Sequence, residues 1–117
     1  DPNYPGVMEK KNAAYFGRGL VFNKYTGSRG KSGSNDASAE YLGSLRKTFD
    51  DANVAYQTAE LGRIDAGGGG TIAQYVAMMD VDVVDLGVPI LSMHAPFELA
   101  SKLDVYNTYK AFKAFYK

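Results

Sequence analysis

The sequence predicts an α/β fold in which helices cover the faces of a layered sheet. Short apolar runs rich in β-branched residues, which are typical of buried strands, alternate along the chain with segments of helical periodicity. Loops rich in glycine and serine separate these segments. With 117 residues, the chain has room for one modest domain.

The first predicted strand spans residues 19–25. Leu20, Val21 and Phe22 form a short apolar run there, between flanking glycines, as expected for a buried strand. Residues 26–35 combine glycine, serine and cations, a composition too polar for the protein interior. The strand therefore belongs to the predicted core, and the segment after it to a surface loop.

The first predicted helix covers about residues 37–52. Ser34, Asn35 and Asp36 end the polar loop, and their side chains suit the N-cap position of a helix. Apolar residues then recur at helical spacing and leave a polar opposite face. This apolar stripe consists of Tyr41, Leu42, Leu45 and Phe49.

A second strand and a second helix are expected in the middle of the chain. Residues 54–58 have the composition of a strand, and the glycine run at residues 67–70 follows as a loop. Ile72, Val76 and Met79 then share one face of a predicted helix.

The final third of the chain predicts core strands and a terminal helix. Residues 81–93 are nearly all apolar, and Gly87 and Pro89 interrupt them, which indicates two strands meeting at a bend or one broken strand. Ser101 and Asp104 then have the spacing of a capping box, at the start of a helix packed on the sheet. The apolar residues of that helix are Val105, Tyr109, Phe112, Phe115 and Tyr116.

Composition excludes several classes of function. The 13 basic and 13 acidic residues cancel, so the chain has no long-range field to attract nucleic acid. The absence of cysteine excludes disulfides and thiolate metal sites, and it fits a reducing compartment. The apolar runs are shorter than the roughly 20 residues of a membrane helix. We therefore expect a cytoplasmic protein without nucleic-acid or membrane partners.

His94 is the only histidine in the sequence. It directly follows the most apolar segment, so we expect it at the end of a strand. Ligands of open α/β sheets collect beyond the carboxyl ends of strands, where an imidazole can bind a metal or transfer protons. The alternative is a packed or loop residue, and one histidine cannot form a zinc site by itself.

Two loops offer weaker signals. The glycine run at residues 67–70 could direct backbone N–H groups at an anion or line a peptide cleft, but it lacks the spacing of nucleotide-binding motifs. A turn that needs positive φ is the structural alternative. Lys24, Arg29 and Lys31 form a basic cluster with Arg18 nearby, which suits either a solvated surface or contact with an acidic substrate.

The sequence resembles the C-terminal region of the aspartyl aminopeptidase and aminopeptidase I family of zinc metallopeptidases, over essentially its whole length. The most specific block is an apolar strand with Asp-x-Gly-x-Pro, followed by Ser-Met-His and a loop that contains a glutamate. The motifs that carry the resemblance are Asp1-Pro2-Asn3-Tyr4, Thr26-Gly27-Ser28-Arg29-Gly30-Lys31, Gln57-Thr58-Ala59-Glu60-Leu61-Gly62, Gly68-Gly69-Gly70-Thr71-Ile72-Ala73 and Asp85-Leu86-Gly87-Val88-Pro89-Ile90-Leu91-Ser92-Met93-His94-Ala95-Pro96.

The resemblance implies that residues 1–117 are the C-terminal part of a three-layer α/β/α catalytic domain. In the family this domain holds two zinc ions and is interrupted by a β-rich assembly domain. The upstream catalytic half and the assembly domain are absent from this chain, and the other zinc ligands and the general base of the family lie upstream. We therefore expect no catalytic residue in this chain and no hydrolysis by the chain alone.

By the same resemblance, His94 is a zinc ligand. Gly69, Gly70, Thr71 and Met93 are expected to line the substrate cleft. The implied function is a zinc-dependent aminopeptidase, a hydrolase that removes N-terminal residues from peptides with a metal-activated water. The preferred substrate residue stays open, because the pocket lysine of the family does not align cleanly here.

The implied partners are a peptide substrate, the remainder of the catalytic domain, and copies of the same protein in a tetrahedral dodecamer. Two other classes of function stay open. The chain could be a non-catalytic fragment or assembly module that only pairs with partner chains, or a small-anion binder that uses the glycine run. An upstream His-x-Asp segment and a Glu-Glu pair would favour the peptidase.

Overall fold

The computed structural model describes residues 3, 5–7, 9–27, 35–63 and 69–117. Two 3-10 turns, Pro5–Val7 and Lys10–Asn12, precede the regular elements. These are β1 (Leu20–Asn23), β2 (Tyr25–Thr26), β3 (Asn35–Asp36), α1 (Ala39–Asp51), β4 (Tyr56–Ala59), α2 (Ala73–Ala77), β5 (Asp85–Gly87), β6 (Ile90–Leu91), β7 (Leu99–Ala100) and α3 (Lys102–Phe115).

The main sheet has β1 at its centre. Strand β4 pairs with β1 in parallel, and β5 pairs with its other side in the antiparallel sense. The remaining strands form two antiparallel pairs, β2 with β3 and β6 with β7. This mixed sheet with packed helices confirms the predicted α/β class.

The core lies between the sheet and two helices on the same face. Leu20 and Phe22 of β1 are fully buried and pack with Leu45 and Phe49 of α1 and with Ala111 of α3. The Phe22 and Phe49 rings lie 5.5 Å apart. Each large apolar side chain buried in this way stabilises the fold by about 1.5–3 kcal/mol. The predicted first strand and the apolar stripe of the first helix are confirmed.

Helix α1 begins later than its predicted cap. The hydroxyl of Ser38 is the N-cap and accepts the backbone N–H of Tyr41 at 3.2 Å. Asn35 and Asp36 form β3 instead, because their backbone groups pair with β2. The predicted N-cap at these two residues is therefore wrong, and Ser34 lies outside the described residues.

Helix α2 is shorter than predicted and does not bury the expected face. Ile72 is its N-cap, and Met79 lies beyond its end, so Val76 is the only member of the predicted face inside the helix. Ile72 and Met79 are 79% and 73% exposed, and α2 buries Ala73 instead. Ile72, Val76 and Met79 do have helical spacing, but no described part of this chain covers the face that they form.

The apolar segment 81–93 contains two strands, β5 and β6, separated by a bend. This is the first of the two predicted alternatives. The expectation that both belong to the core sheet is wrong, because only β5 joins β1, where Val21 pairs with Gly87. Pro89 follows β5 and has no N–H to continue the ladder. The chain then leaves the sheet, and β6 pairs with β7 as a separate hairpin.

Helix α3 begins as predicted at Ser101, whose hydroxyl accepts the backbone N–H of Leu103 at 3.2 Å. The predicted capping box is nevertheless wrong at its second position. Asp104 is fully buried, and its carboxylate accepts the backbone N–H groups of Gly17 and Gly19, both at 2.7 Å. No helix in the described ranges has the length and apolar character to cross a membrane.

Two of the three buried residues of α3 are polar. Besides Asp104, Asn107 accepts the backbone N–H of Ala55 at 3.1 Å, so α3 holds the amino ends of β1 and β4 together. At the same place Gly19 has a φ of +92°, and a Cβ there would lie 2.2 Å from the carbonyl oxygen of Ala55. The predicted apolar face is instead 45–78% exposed; it consists of Val105, Tyr109, Phe112, Phe115 and Tyr116.

Candidate functional site

The candidate metal ligand lies in the loop of the β6–β7 hairpin. His94 follows β6 by three residues and is exposed, so it lies past a strand end, but the strand is outside the three-stranded sheet. Ser92 and His94 have φ values of +60° and +69°. This left-handed conformation costs a non-glycine residue about 1–2 kcal/mol. The loop therefore needs specific contacts to hold it.

Two hydrogen bonds hold this loop. The backbone N–H of Ala95 donates to the carbonyl oxygen of Ser92 at 2.9 Å. The backbone N–H of His94 donates to Oε1 of Glu98 at 2.6 Å. A carboxylate acceptor makes the second bond stronger than a neutral one. The sequence contains a glutamate in this loop but does not indicate which group it contacts.

The imidazole of His94 is available for a ligand. Within the described ranges it makes no hydrogen bond, and it is exposed at the loop surface. An imidazole in this state fits one position of a zinc site. The described residues contain no group of three or more histidine, aspartate or glutamate side chains that could hold a metal. His94 can thus be one ligand, and the others must come from elsewhere.

The predicted cleft residues lie on two separate segments. Met93 adjoins His94 and is half exposed. Gly69, Gly70 and Thr71 precede α2, and the hydroxyl of Thr71 accepts the backbone N–H of Ala73 at 3.2 Å. Among the described residues no hydrogen bond joins this segment to the hairpin loop.

The anion-binding alternative for the glycine run gains no support from the structure. Helix α2 has five residues, too few for a substantial dipole at its N-terminus. A Cβ at Gly69 would meet no atom within 4 Å, so close packing does not require glycine there. Gly67 and Gly68 lie outside the described residues.

The basic cluster is not a set of free cations. The ammonium group of Lys24 pairs with the carboxylate of Asp36 across the β2–β3 pair. The guanidinium of Arg18 lies 4.7 Å from the ring centroid of Tyr15. Arg29 and Lys31 lie outside the described residues, so the predicted contact with an acidic substrate stays a prediction.

A group of buried polar atoms lies where the parallel strands β1 and β4 end. Thr26 Oγ1, Asn35 Nδ2 and Glu60 Oε2 are buried without a hydrogen-bond partner among the described residues. Burial raises the pKa of the Glu60 carboxyl, while a hydrogen bond from the backbone N–H of Tyr25 lowers it. Glu60 received no role in the sequence analysis, although its place two residues after the predicted strand 54–58 was a usable signal.

Comparison with known proteins identifies the family. The model of the family described as "Aminopeptidase I zinc metalloprotease (M18)" matches residues 1–116. The chain belongs to the M18 aminopeptidase family. A "Probable M18 family aminopeptidase 1" from Clostridium acetobutylicum is 58% identical over 115 residues, which are 98% of this chain and 25% of that protein. The M18 chain thus spans about a quarter of the length of the curated relatives that it matches.

Solved M18 structures share the fold. The crystal structure of aminopeptidase I from C. acetobutylicum superposes with a TM-score of 0.90 at 57% identity, covering 100% of this chain and 26% of that one. The M18 aminopeptidase from Thermotoga maritima gives a TM-score of 0.88 at 45% identity, covering 97% and 25%. The predicted family and its α/β fold are therefore confirmed, whereas the roles of His94 and the cleft residues stay predictions.

Proposed function

We propose that this chain is part of a zinc-dependent aminopeptidase that removes N-terminal residues from peptides. Family membership supports the reaction class, because the matched relatives are named aminopeptidases and the family is described as a zinc metalloprotease. The observation that carries the proposal within the chain is the state of His94. Its imidazole is exposed and makes no hydrogen bond to a described residue, and two hydrogen bonds hold its loop.

In this proposal one ring nitrogen of His94 would be a ligand of one of two zinc ions. Zinc, when bound, would polarise the scissile carbonyl and lower the pKa of a water molecule. Met93, beside His94, and the segment of Gly69, Gly70 and Thr71 would contact the peptide. The polar contacts of this segment would come from its backbone, because the Thr71 hydroxyl already accepts the Ala73 N–H.

The remaining ligands and the general base come from the rest of the protein, so the chain alone does not hydrolyse peptides.

One surface of the chain suits contact with the rest of the protein. Helices α1, α2 and α3 and strand β5 line an open apolar groove of about 290 Å³. Its walls include Val76, Val83, Phe112 and Phe115. The proposal also includes assembly into a dodecamer in the cytoplasm, and the resemblance to the family is its only support.

Replacement of His94 tests the proposal. In the full-length protein, His94→Ala should remove or misplace one zinc ion, and amide hydrolysis should fall by at least about 100-fold, as for other losses of metal-site groups. Zinc content by mass spectrometry and kcat/KM on a peptide substrate measure the two effects. Lys102→Ala, an exposed change at the start of α3, is the control. Normal zinc content and activity in His94→Ala would show that His94 is not a ligand.

A second function is favoured by one observation. The outer face of α3 carries a continuous row of exposed side chains, Val105, Tyr109, Phe112 and Tyr116, and such surfaces are typical of protein contacts. A non-catalytic module that pairs with partner chains would use this row. The same zinc and activity measurements on the unmodified full-length protein separate the two functions, because the module would show neither.

A further inference from the structure

The β6–β7 hairpin places a carboxylate where it controls the backbone at His94. We propose that Glu98 is a positioning residue, which sets the direction of the His94 imidazole by accepting the His94 backbone N–H. The inference rests on the proposed role of His94 as a zinc ligand. It assigns Glu98 no place among the zinc ligands themselves.

The pairing of the strands fixes where the two residues lie. Ile90 pairs with Ala100 and Leu91 with Leu99, so the two ends of loop 92–98 are held together. Glu98 directly precedes β7 and His94 lies near the middle of the loop. The side chain of Glu98 therefore starts from an anchored backbone and reaches back four residues to the freer part of the loop.

The backbone conformation explains why an acceptor is needed. His94 has a φ of +69°, and the Cα–Cβ direction of a residue follows from its φ and ψ. If His94 relaxed to the common negative-φ regions, its imidazole would point elsewhere. The 2.6 Å bond to Glu98 holds the His94 N–H in place, and Ser92 accepts the next N–H, from Ala95, at 2.9 Å.

The charge of Glu98 strengthens this contact. Hydrogen bonds to ionised acceptors are shorter and roughly twice as strong as neutral ones. Both residues are exposed, so water competes for the His94 N–H. A neutral acceptor of the same shape should hold the loop less firmly but in the same conformation. Glutamine at position 98 supplies such an acceptor, and alanine supplies none.

The test uses Glu98→Ala and Glu98→Gln in the full-length protein. In Glu98→Ala, the His94 backbone amide should exchange with deuterium at least about tenfold faster, since its bond to a charged group is lost. Zinc affinity and kcat/KM should each fall by about 10- to 100-fold, as for other groups that orient a metal ligand. Glu98→Gln should recover most of each loss. Glu40→Ala, an exposed carboxylate in α1, is the matched control.

The outcomes separate this inference from the function on which it rests. Faster exchange at His94 with unchanged zinc affinity and activity would overturn it, because Glu98 would then only close the loop. A Glu98→Gln protein as impaired as Glu98→Ala would overturn it too, since the charge and not the hydrogen bond would matter. If His94→Ala keeps both zinc ions, the proposed function fails first, whatever Glu98 does.

Discussion

Several of the described carboxylates act through backbone N–H groups. Asp104 accepts two N–H groups that lie 87 and 85 residues earlier in the sequence, whereas Glu98 accepts one only four residues earlier. Glu60 also accepts a backbone N–H, but its Oε2 atom is buried without a hydrogen-bond partner among the described residues. Each of these roles depends on what surrounds the carboxylate, which the residue type does not indicate.

Glu60 should make stability depend on pH. Burial raises the pKa of its carboxyl above the ordinary 4.5 that it has when unfolded. Its contribution to stability is therefore fully present below that value and is lost as pH rises through the raised pKa. Glutamine does not titrate. The difference in unfolding free energy between Glu60→Gln and the unmodified protein should therefore change as the pH rises from 4.5 through the raised pKa of Glu60. Denaturant unfolding at several pH values measures it.

The prediction is wrong if the difference in unfolding free energy between Glu60→Gln and the unmodified protein stays constant from about pH 4 to about pH 7. That outcome would mean that the Glu60 carboxyl finds water or a partner in solution. Glu9→Gln, which makes the same replacement at an exposed carboxyl, is the control for the substitution itself.

The packing face of a helix was predictable from the sequence where apolar residues form it. It was not predictable where polar contacts determine which face is buried. Leu45 and Phe49 are buried as their spacing indicated. Helix α3 was found in the sequence, but its packing face was not, because Asp104 and Asn107 bond to backbone groups that only the folded chain brings near. For the same reason the sequence indicated His94 as a ligand but not the contact of Glu98 with its backbone.

Asp104 should be essential to the packing of α3 on the sheet. Asp104→Ala leaves the N–H group of Gly17 and that of the buried Gly19 without an acceptor, so the protein should lose about 3 kcal/mol of unfolding free energy. Denaturant unfolding measures the loss. Asp51→Ala, which removes an exposed partner of Lys47, should cost much less, because surface ion pairs contribute little to stability. Equal losses would show that the buried carboxylate has no special role.

At the scale of the whole molecule, the described residues expose large apolar side chains in several places. Phe97 is 90% exposed, and the outer row of α3 and the groove beside α2 are open. The matched relatives are about four times as long as this chain, so their other three quarters offer partners for these surfaces. Periodicity indicated the apolar faces of α2 and α3, but it could not indicate whether other parts of the described chain cover them.

The isolated chain should therefore self-associate. Exposed apolar rows and the outer edge of β5 can pair with a second copy when no other partner is present. Sedimentation velocity should show a mass that rises with concentration. Replacing Tyr109 and Tyr116 with glutamate should shift the chain towards monomer, because a charge in each position opposes burial, while Lys102→Glu should not. A monomer at every concentration with cooperative unfolding would mean that residues 1–117 form a self-sufficient domain, and the apolar row of α3 would then need no partner to explain it.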